Sequence, residues 1–289
     1  MSKKVIFVIG NPRSGTSLLR IMLHSHPSIC IPPECGYVQW WWKKYKNWSV
    51  SDNSSSEKRH EYIQDLKSSK KIETWDLDYT QLEELIITEK PANYSELSLL
   101  GIQQYGMQQG KSTIYFGDKN NYYIDHLELI DSLYPQSKIL HIVRDGRDVA
   151  CSYLALNKLD SNSPYLPKLA NSIKEIAEDW VRNNLIVEDF LADRDLSNNF
   201  RVRYEDVILD SEKSLTEICN WLGISYSMEM MKYTETQVEP LATMDWKKKT
   251  REMPDSNNIG KYKEVLGPRD IEFFNNTAKE MLQKYAYHD

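Results

Sequence analysis

Apolar residues in this chain gather in short runs and periodic stretches that alternate along its length. Residues 5–9, Val-Ile-Phe-Val-Ile, make an unbroken apolar run rich in β-branched side chains, the pattern of a strand buried on both faces. Gly10 ends it. After a loop from Asn11 to Ser17, the apolar Leu18, Leu19, Met22 and Leu23 recur at helical spacing until Pro27 stops the pattern. A second strand is predicted at Ile29 and Ile31, a third at 138–143 with a helix from Asp145 onward, and a fourth at 200–204. Further helices are predicted at about residues 170–193 and at 211–222, with Gly223 as the C-cap of the latter. Strands alternating with helices of this length predict an α/β fold, a parallel β-sheet flanked by helices on both faces. Residues 36–115 interrupt the alternation with a Trp-rich start, a polar Ser/Asn stretch at 51–56 and weakly periodic helices. They are expected to form a helical insertion over the C-terminal edge of the sheet, where α/β sheets bind ligands. With no internal repeat, one domain spanning 1–289 is expected, the insertion capping the acceptor side.

Charge and composition narrow the function. A net charge of -6 excludes the broadly basic surface that nucleic acids require, so any anion site must be local. No apolar run is long enough to cross a bilayer and the first residues lack the apolar stretch of a secretory leader, so a cytoplasmic protein without a membrane partner is expected. Cys30, Cys35, Cys151 and Cys219 contain no two-residue-spaced pair and are expected to be reduced packing residues. The histidines form no ligand cluster either, and no metal is expected. His126 and His141 lie in apolar settings and are expected to be interior or edge residues.

The first motif is Gly10-Asn-Pro-Arg-Ser-Gly15-Thr16-Ser17, which has the glycine spacing of a phosphate-binding P-loop between a strand and a helix. Where the nucleotide-hydrolase form has Lys, this chain has Thr16. Backbone N–H groups and the hydroxyls of Ser14, Thr16 and Ser17 can still cradle a phosphate, but the loop suits a 5'-phosphate better than a Mg-bound triphosphate. A second motif runs from Ile142 to Ser152. Arg144 at a strand's end and Ser152 about two turns into the next helix could converge on one phosphate. On the plainer reading, Asp145 caps the helix and Arg147 and Asp148 are surface charges.

Pro12 to Ser17 resemble, at every position, the 5'-phosphosulfate loop of the family of sulfotransferases that use 3'-phosphoadenosine 5'-phosphosulfate (PAPS). The resemblance extends over four blocks, with 36–115 outside it, and leans toward the tyrosylprotein and bacterial branches. It implies a P-loop-type fold in which Arg13, Ser14, Gly15, Thr16 and Ser17 bind the 5'-phosphosulfate, and Arg13 steadies charge on the leaving oxygen. It implies that Arg144 and Ser152 grip the 3'-phosphate. In Arg203-Tyr204-Glu205-Asp206, at the end of the fourth strand, Tyr204 would contact the adenine. In Ile259-Gly260-Lys261, Lys261 would reach the 3'-phosphate side, or belong to a solvated basic loop.

For acceptor activation, relatives carry a His a few residues after a Lys; Lys119 fits that Lys, but Tyr122 stands at the His position. Glu34 matches the Glu that serves as base in the tyrosylprotein branch, and partial burial would raise its pKa toward the working pH. Lys119 would stabilise the transferring sulfonate, or pair with Asp118 or Glu128 on a surface. One of Trp40, Trp41 and Trp42 could line an acceptor pocket, with packing the better reading, and the basic run Lys247-Lys248-Lys249 with Arg251 could attract an anion. The expected activity is sulfuryl transfer from PAPS, without a metal, to a hydroxyl of a small-molecule acceptor. A P-loop kinase of a small metabolite and a non-catalytic nucleotide-binding protein are the alternatives.

Overall fold

The apolar run near the N-terminus forms β1 (Lys4–Ile9). Val5, Phe7 and Ile9 enter one hydrophobic cluster, and Ile6 and Val8 enter another on the opposite face, so the alternation expected of a strand is present but both faces are apolar. The computed structural model describes residues 3–161, 163–235, 246, 248, 250 and 252–287. Lys247, Lys249 and Arg251 of the basic run lie outside the described residues.

Past β1 the chain forms α1 (Thr16–His24) and β2 (Ile29–Cys30). Short helices α2 (Tyr37–Trp40) and α3 (Trp42–Tyr45) precede α4 (Ser56–Lys67), α5 (Tyr79–Glu89) and α6 (Tyr94–Gln108). Next come β3 (Tyr115–Asp118), α7 (Leu127–Leu133), β4 (Lys138–Val143), α8 (Gly146–Leu156) and the long α9 (Ile173–Ala192). The remainder is β5 (Asn199–Arg203), α10 (Tyr204–Leu209), α11 (Ser211–Leu222), α12 (Tyr262–Val265), α13 (Pro268–Thr277) and α14 (Lys279–Lys284).

The strands pair in the order β2-β3-β1-β4-β5, and every pair is parallel. Sequence periodicity predicted four of the five. It missed β3, because Tyr-Phe-Gly-Asp is too short for a period and ends in two residues that strands disfavour. Gly117 is required there all the same, since a Cβ would come within 2.7 Å of Ile31 and 2.8 Å of Ile6. The fourth predicted strand also ends one residue earlier, and Tyr204 opens α10 instead of closing β5.

Helices cover both faces. Leu19, Met22 and Leu23 of α1 and Leu215, Ile218 and Leu222 of α11 share a cluster with Ile6 and Val8. On the other face, Leu97, Leu100 and Ile102 of α6 pack with Val5 and Phe7, so part of the 36–115 segment builds the sheet's own core. In α9 the buried Ile176, Ala177, Trp180, Asn184, Val187 and Leu191 recur at three- and four-residue spacing, and Ser172 caps its start by accepting a hydrogen bond from the Glu175 amide. Asn183 on the same helix donates to Asn11 at 2.8 Å and ties α9 to the loop after β1. All four cysteines are free and buried. Among the described residues, no helix is long and apolar enough to cross a membrane.

Candidate active site

In a parallel sheet all strands end at the same edge, and here each of the five ends delivers one predicted site group. The P-loop residues follow β1, Glu34 follows β2, Lys119 follows β3, Arg144 follows β4 and Tyr204 follows β5. β1 lies between β3 and β4, the point at which the chain switches sides of the sheet. A cavity of about 950 Å³ opens there, lined by Arg13, Gly15, Thr16, Ser17, Glu34, Lys119, Arg144, Ser152, Tyr204 and Lys261. Ser14, the remaining predicted residue, is fully buried in the same loop.

The loop after β1 is shaped as an anion cradle. Arg13 and Gly15 both take left-handed backbone angles, φ 68° and 92°, which turns successive N–H groups to one side. No side chain caps α1 and its first turn carries no acidic residue, so its N-terminal amides are left for a ligand. Gly15 has no room for a side chain, because a Cβ would lie 2.5 Å from Tyr204 Cδ2. The Ser14 hydroxyl and Arg144 Nε are buried without a hydrogen-bond partner among the described residues. Buried donors left unmade cost about 1–3 kcal/mol each, and a phosphate or sulfate oxygen is the kind of acceptor that would satisfy them.

Arg13 and Arg144 make the floor of this region cationic. Arg13 Nε donates to Ser152 Oγ at 3.0 Å, and Arg144 Nη1 donates to the Arg13 carbonyl at 3.1 Å. Burial, and after it the charge of Arg144, lower the pKa of the Arg13 guanidinium. The Arg144 guanidinium lies over the Tyr204 ring at 4.3 Å. That ring is buried and engaged by Arg144 and Gly15 together. Asn11, at the start of the loop, is held by Tyr153 and Asn183, supports that no motif revealed.

Glu34 and Lys119 meet at the other end of the cavity. Lys119 is 1% exposed on its side chain and its Nζ lies 2.5 Å from Glu34 Oε2, which excludes the surface pairing with Asp118 or Glu128. Lys71, from the 36–115 segment, holds Oε1 at 2.6 Å. Two ammonium groups therefore face this carboxylate. Each carboxylate oxygen keeps a second lone pair, so an acceptor hydroxyl can approach Glu34 beside its lysines. Next to Lys119, burial pushes Asp118 up to about 7 while the Tyr123 hydroxyl donates to it at 2.6 Å.

The structure corrects three smaller expectations, the exposure of Arg147, Asp148 and His126. Asp145 caps α8 as predicted, but Arg147 and Asp148 are each only 1% exposed rather than surface charges. Arg147 pairs with Asp145 two residues away, and the other partners come from a distant part of the chain: Arg147 stacks on Tyr262, and Asp148 accepts from the Gly260 and Tyr262 amides. His126 is exposed, whereas His141 is fully buried as expected. The three consecutive tryptophans follow the packing reading: none is among the described residues that line the cavity, Trp41 donates to Ser69 and Trp42 lies against Tyr94.

The sequence profile of the sulfotransferase family matches residues 5–228. The chain belongs to this family. Protein-tyrosine sulfotransferase 2 of Gallus gallus is 23% identical over 236 residues, which cover 82% of this chain and 55% of the chicken protein. Protein-tyrosine sulfotransferase A of Caenorhabditis elegans is 20% identical over 284 residues, 98% of this chain and 67% of the worm protein. The chain thus spans little more than half the length of the chicken relative. Among solved structures, the sulfotransferase domain from the curacin biosynthetic pathway superposes with a TM-score of 0.65 at 18% identity, covering 97% of this chain and 98% of that one. The sulfotransferase domain of the Synechococcus PCC 7002 olefin synthase gives 0.59 at 20% identity, with 96% of each chain covered. At such identities the likeness establishes the sulfotransferase fold.

Proposed function

We propose that this chain transfers the sulfuryl group of PAPS to a hydroxyl of a small-molecule acceptor. The observation that carries the reading is the arrival of cradle, cationic floor and Glu34–Lys119 pair at one cavity from five separate strand ends. The Ser14 hydroxyl and Arg144 Nε, without a partner among the described residues, fit the phosphate oxygens of such a donor. Arg13, Ser14, Gly15, Thr16 and Ser17 would hold the 5' side, Arg144, Ser152 and Lys261 the 3'-phosphate, with Tyr204 beside the base. PAPS supplies a sulfonate whose bond to the 5'-phosphate oxygen is readily broken. Arg13 stabilises negative charge at that oxygen. Glu34 takes the acceptor's proton and Lys119 holds the sulfonate oxygens.

A kinase is disfavoured because Thr16 stands where a P-loop kinase needs Lys. A binding-only protein is disfavoured by Glu34, which a nucleotide cradle does not need. A tyrosyl side chain in a peptide is the second acceptor reading, favoured by relatives described as protein-tyrosine sulfotransferases.

Calorimetry tests the donor. The expected result is tight binding of PAP, the desulfated product, that is unchanged by a chelator and stronger than binding of ADP. Stronger binding of ATP with Mg than of PAP would overturn the reading. Incubation with labelled PAPS and a panel of phenols, alcohols and tyrosyl peptides then separates the two acceptor classes.

A further inference from the structure

We infer that Asp148 is a positioning residue of the donor site, gripping the C-terminal loop on both sides of Lys261 and so aiming that ammonium group at the 3'-phosphate. The inference rests on the donor reading above and gives a role to a residue of the second motif that sequence alone read as a surface charge. Asp148 sits in the first turn of α8 and also borders the cavity. Its Oδ2 accepts from the Gly260 amide at 2.7 Å and its Oδ1 from the Tyr262 amide at 2.9 Å. These donors flank Lys261, whose side chain lines the same cavity as Arg144 and Ser152.

Neighbouring contacts secure the same loop. Arg144 Nη2 donates to the Asn258 carbonyl at 2.8 Å, and the Tyr262 ring lies 4.2 Å from the Arg147 guanidinium, itself fixed by Asp145. Gly260, at φ 71°, makes the turn that brings both amides onto one carboxylate. Only a carboxylate presents acceptors at both ends of so short a side chain, and charge strengthens both bonds.

Asp148 has two opposed effects on a bound phosphate. As a bare negative charge beside Arg144 it repels the anion; as the anchor of Lys261 it favours the anion. Substitution therefore changes affinity in opposite directions under the two accounts.

Asp148→Asn keeps the volume but turns one acceptor into an NH2 group that faces a backbone N–H. With both ligands titrated by calorimetry, the dissociation constant for PAP should rise about tenfold, while that for adenosine 5'-phosphosulfate, which lacks the 3'-phosphate, changes less than about twofold. In a Lys261→Met background, Asp148→Asn should add little further loss of PAP affinity. Tighter or unchanged PAP binding would overturn the inference in favour of a bare charge, and equal losses for both ligands would reduce Asp148 to a general structural role. Unsubstituted protein that binds PAP no better than ADP overturns the donor reading, and this inference with it. Hydrogen exchange on the unsubstituted protein is the check that needs no variant. The Gly260 and Tyr262 amides should exchange more slowly than the Lys261 amide between them, and fast exchange at both would sink the clamp.

Discussion

Glu34 is engaged by Lys71 and Lys119 at once, and that pairing governs what a substitution does. Glu34→Gln keeps the shape but removes basicity, so turnover should fall by about 100-fold or more while PAP affinity stays nearly constant. The variant should also be less stable, because the buried Lys119 and the largely buried Lys71 lose their counter-charge. Steady-state kinetics across pH, with a melting curve beside it, separates the effects; near-normal turnover on a verified acceptor would move the base elsewhere. Arg144→Ala should weaken PAP binding by about 2–3 kcal/mol more than it weakens adenosine 5'-phosphosulfate binding, since only PAP carries the 3'-phosphate. Equal weakening in calorimetry would deny Arg144 that role.

The strand-loop-helix element of β1 and α1 depends on backbone shape as much as on side chains. Gly15→Ala combines a left-handed φ of 92° with a Cβ placed 2.5 Å from the Tyr204 ring. It should destabilise the fold by about 1–3 kcal/mol and abolish PAP binding, because the cradle amides must turn away. Gly110→Ala is the control. Its φ is 67°, but nothing lies within 4 Å of the added Cβ, so it should cost about 1 kcal/mol and leave PAP binding intact. Melting temperatures and PAP titrations of the two variants give the comparison, and similar PAP affinities in both would contradict a cradle built on Gly15.

Two buried groups give the whole molecule opposed pH dependences. Burial lowers His141 from its ordinary 6.5 to about 3, so below pH 6.5 the unfolded chain takes up a proton that the folded chain refuses. Its contribution to stability is present above pH 6.5 and is lost as pH falls toward 3, approaching about 1.4 kcal/mol per pH unit. Burial raises Asp118 from 3.8 to about 7, so its contribution runs the other way, present at acid pH and lost as pH rises through 7. Melting temperatures at pH 5 and 7.5 should fall less on acidification in His141→Asn than in the unsubstituted chain. In Asp118→Asn they should fall more. Identical pH slopes in all three proteins would refute both assignments.

The chain alone determined the elements with strong local signals: the apolar run of β1, the glycine-spaced loop, the 138–143 strand with its Arg144, and the Gly223 cap. These depend on composition and spacing within about ten residues, which is the range of propensity and periodicity. Sequence motifs also named most of the cavity's groups, because Arg13 to Ser17 sit in one run and Arg144 and Ser152 in a second. Only the tertiary structure decided which groups meet. The short strand β3, too brief for a period, carries Lys119 to Glu34, and Lys71 joins them from a segment that no motif reached. Asp148 reads as a surface charge from its neighbours in the chain, and becomes a clamp because Gly260 and Tyr262, more than a hundred residues later, fold against it. Hydrogen bonds and ion pairs between distant residues leave no periodic trace in sequence, since their geometry is set by how the helices pack across the sheet.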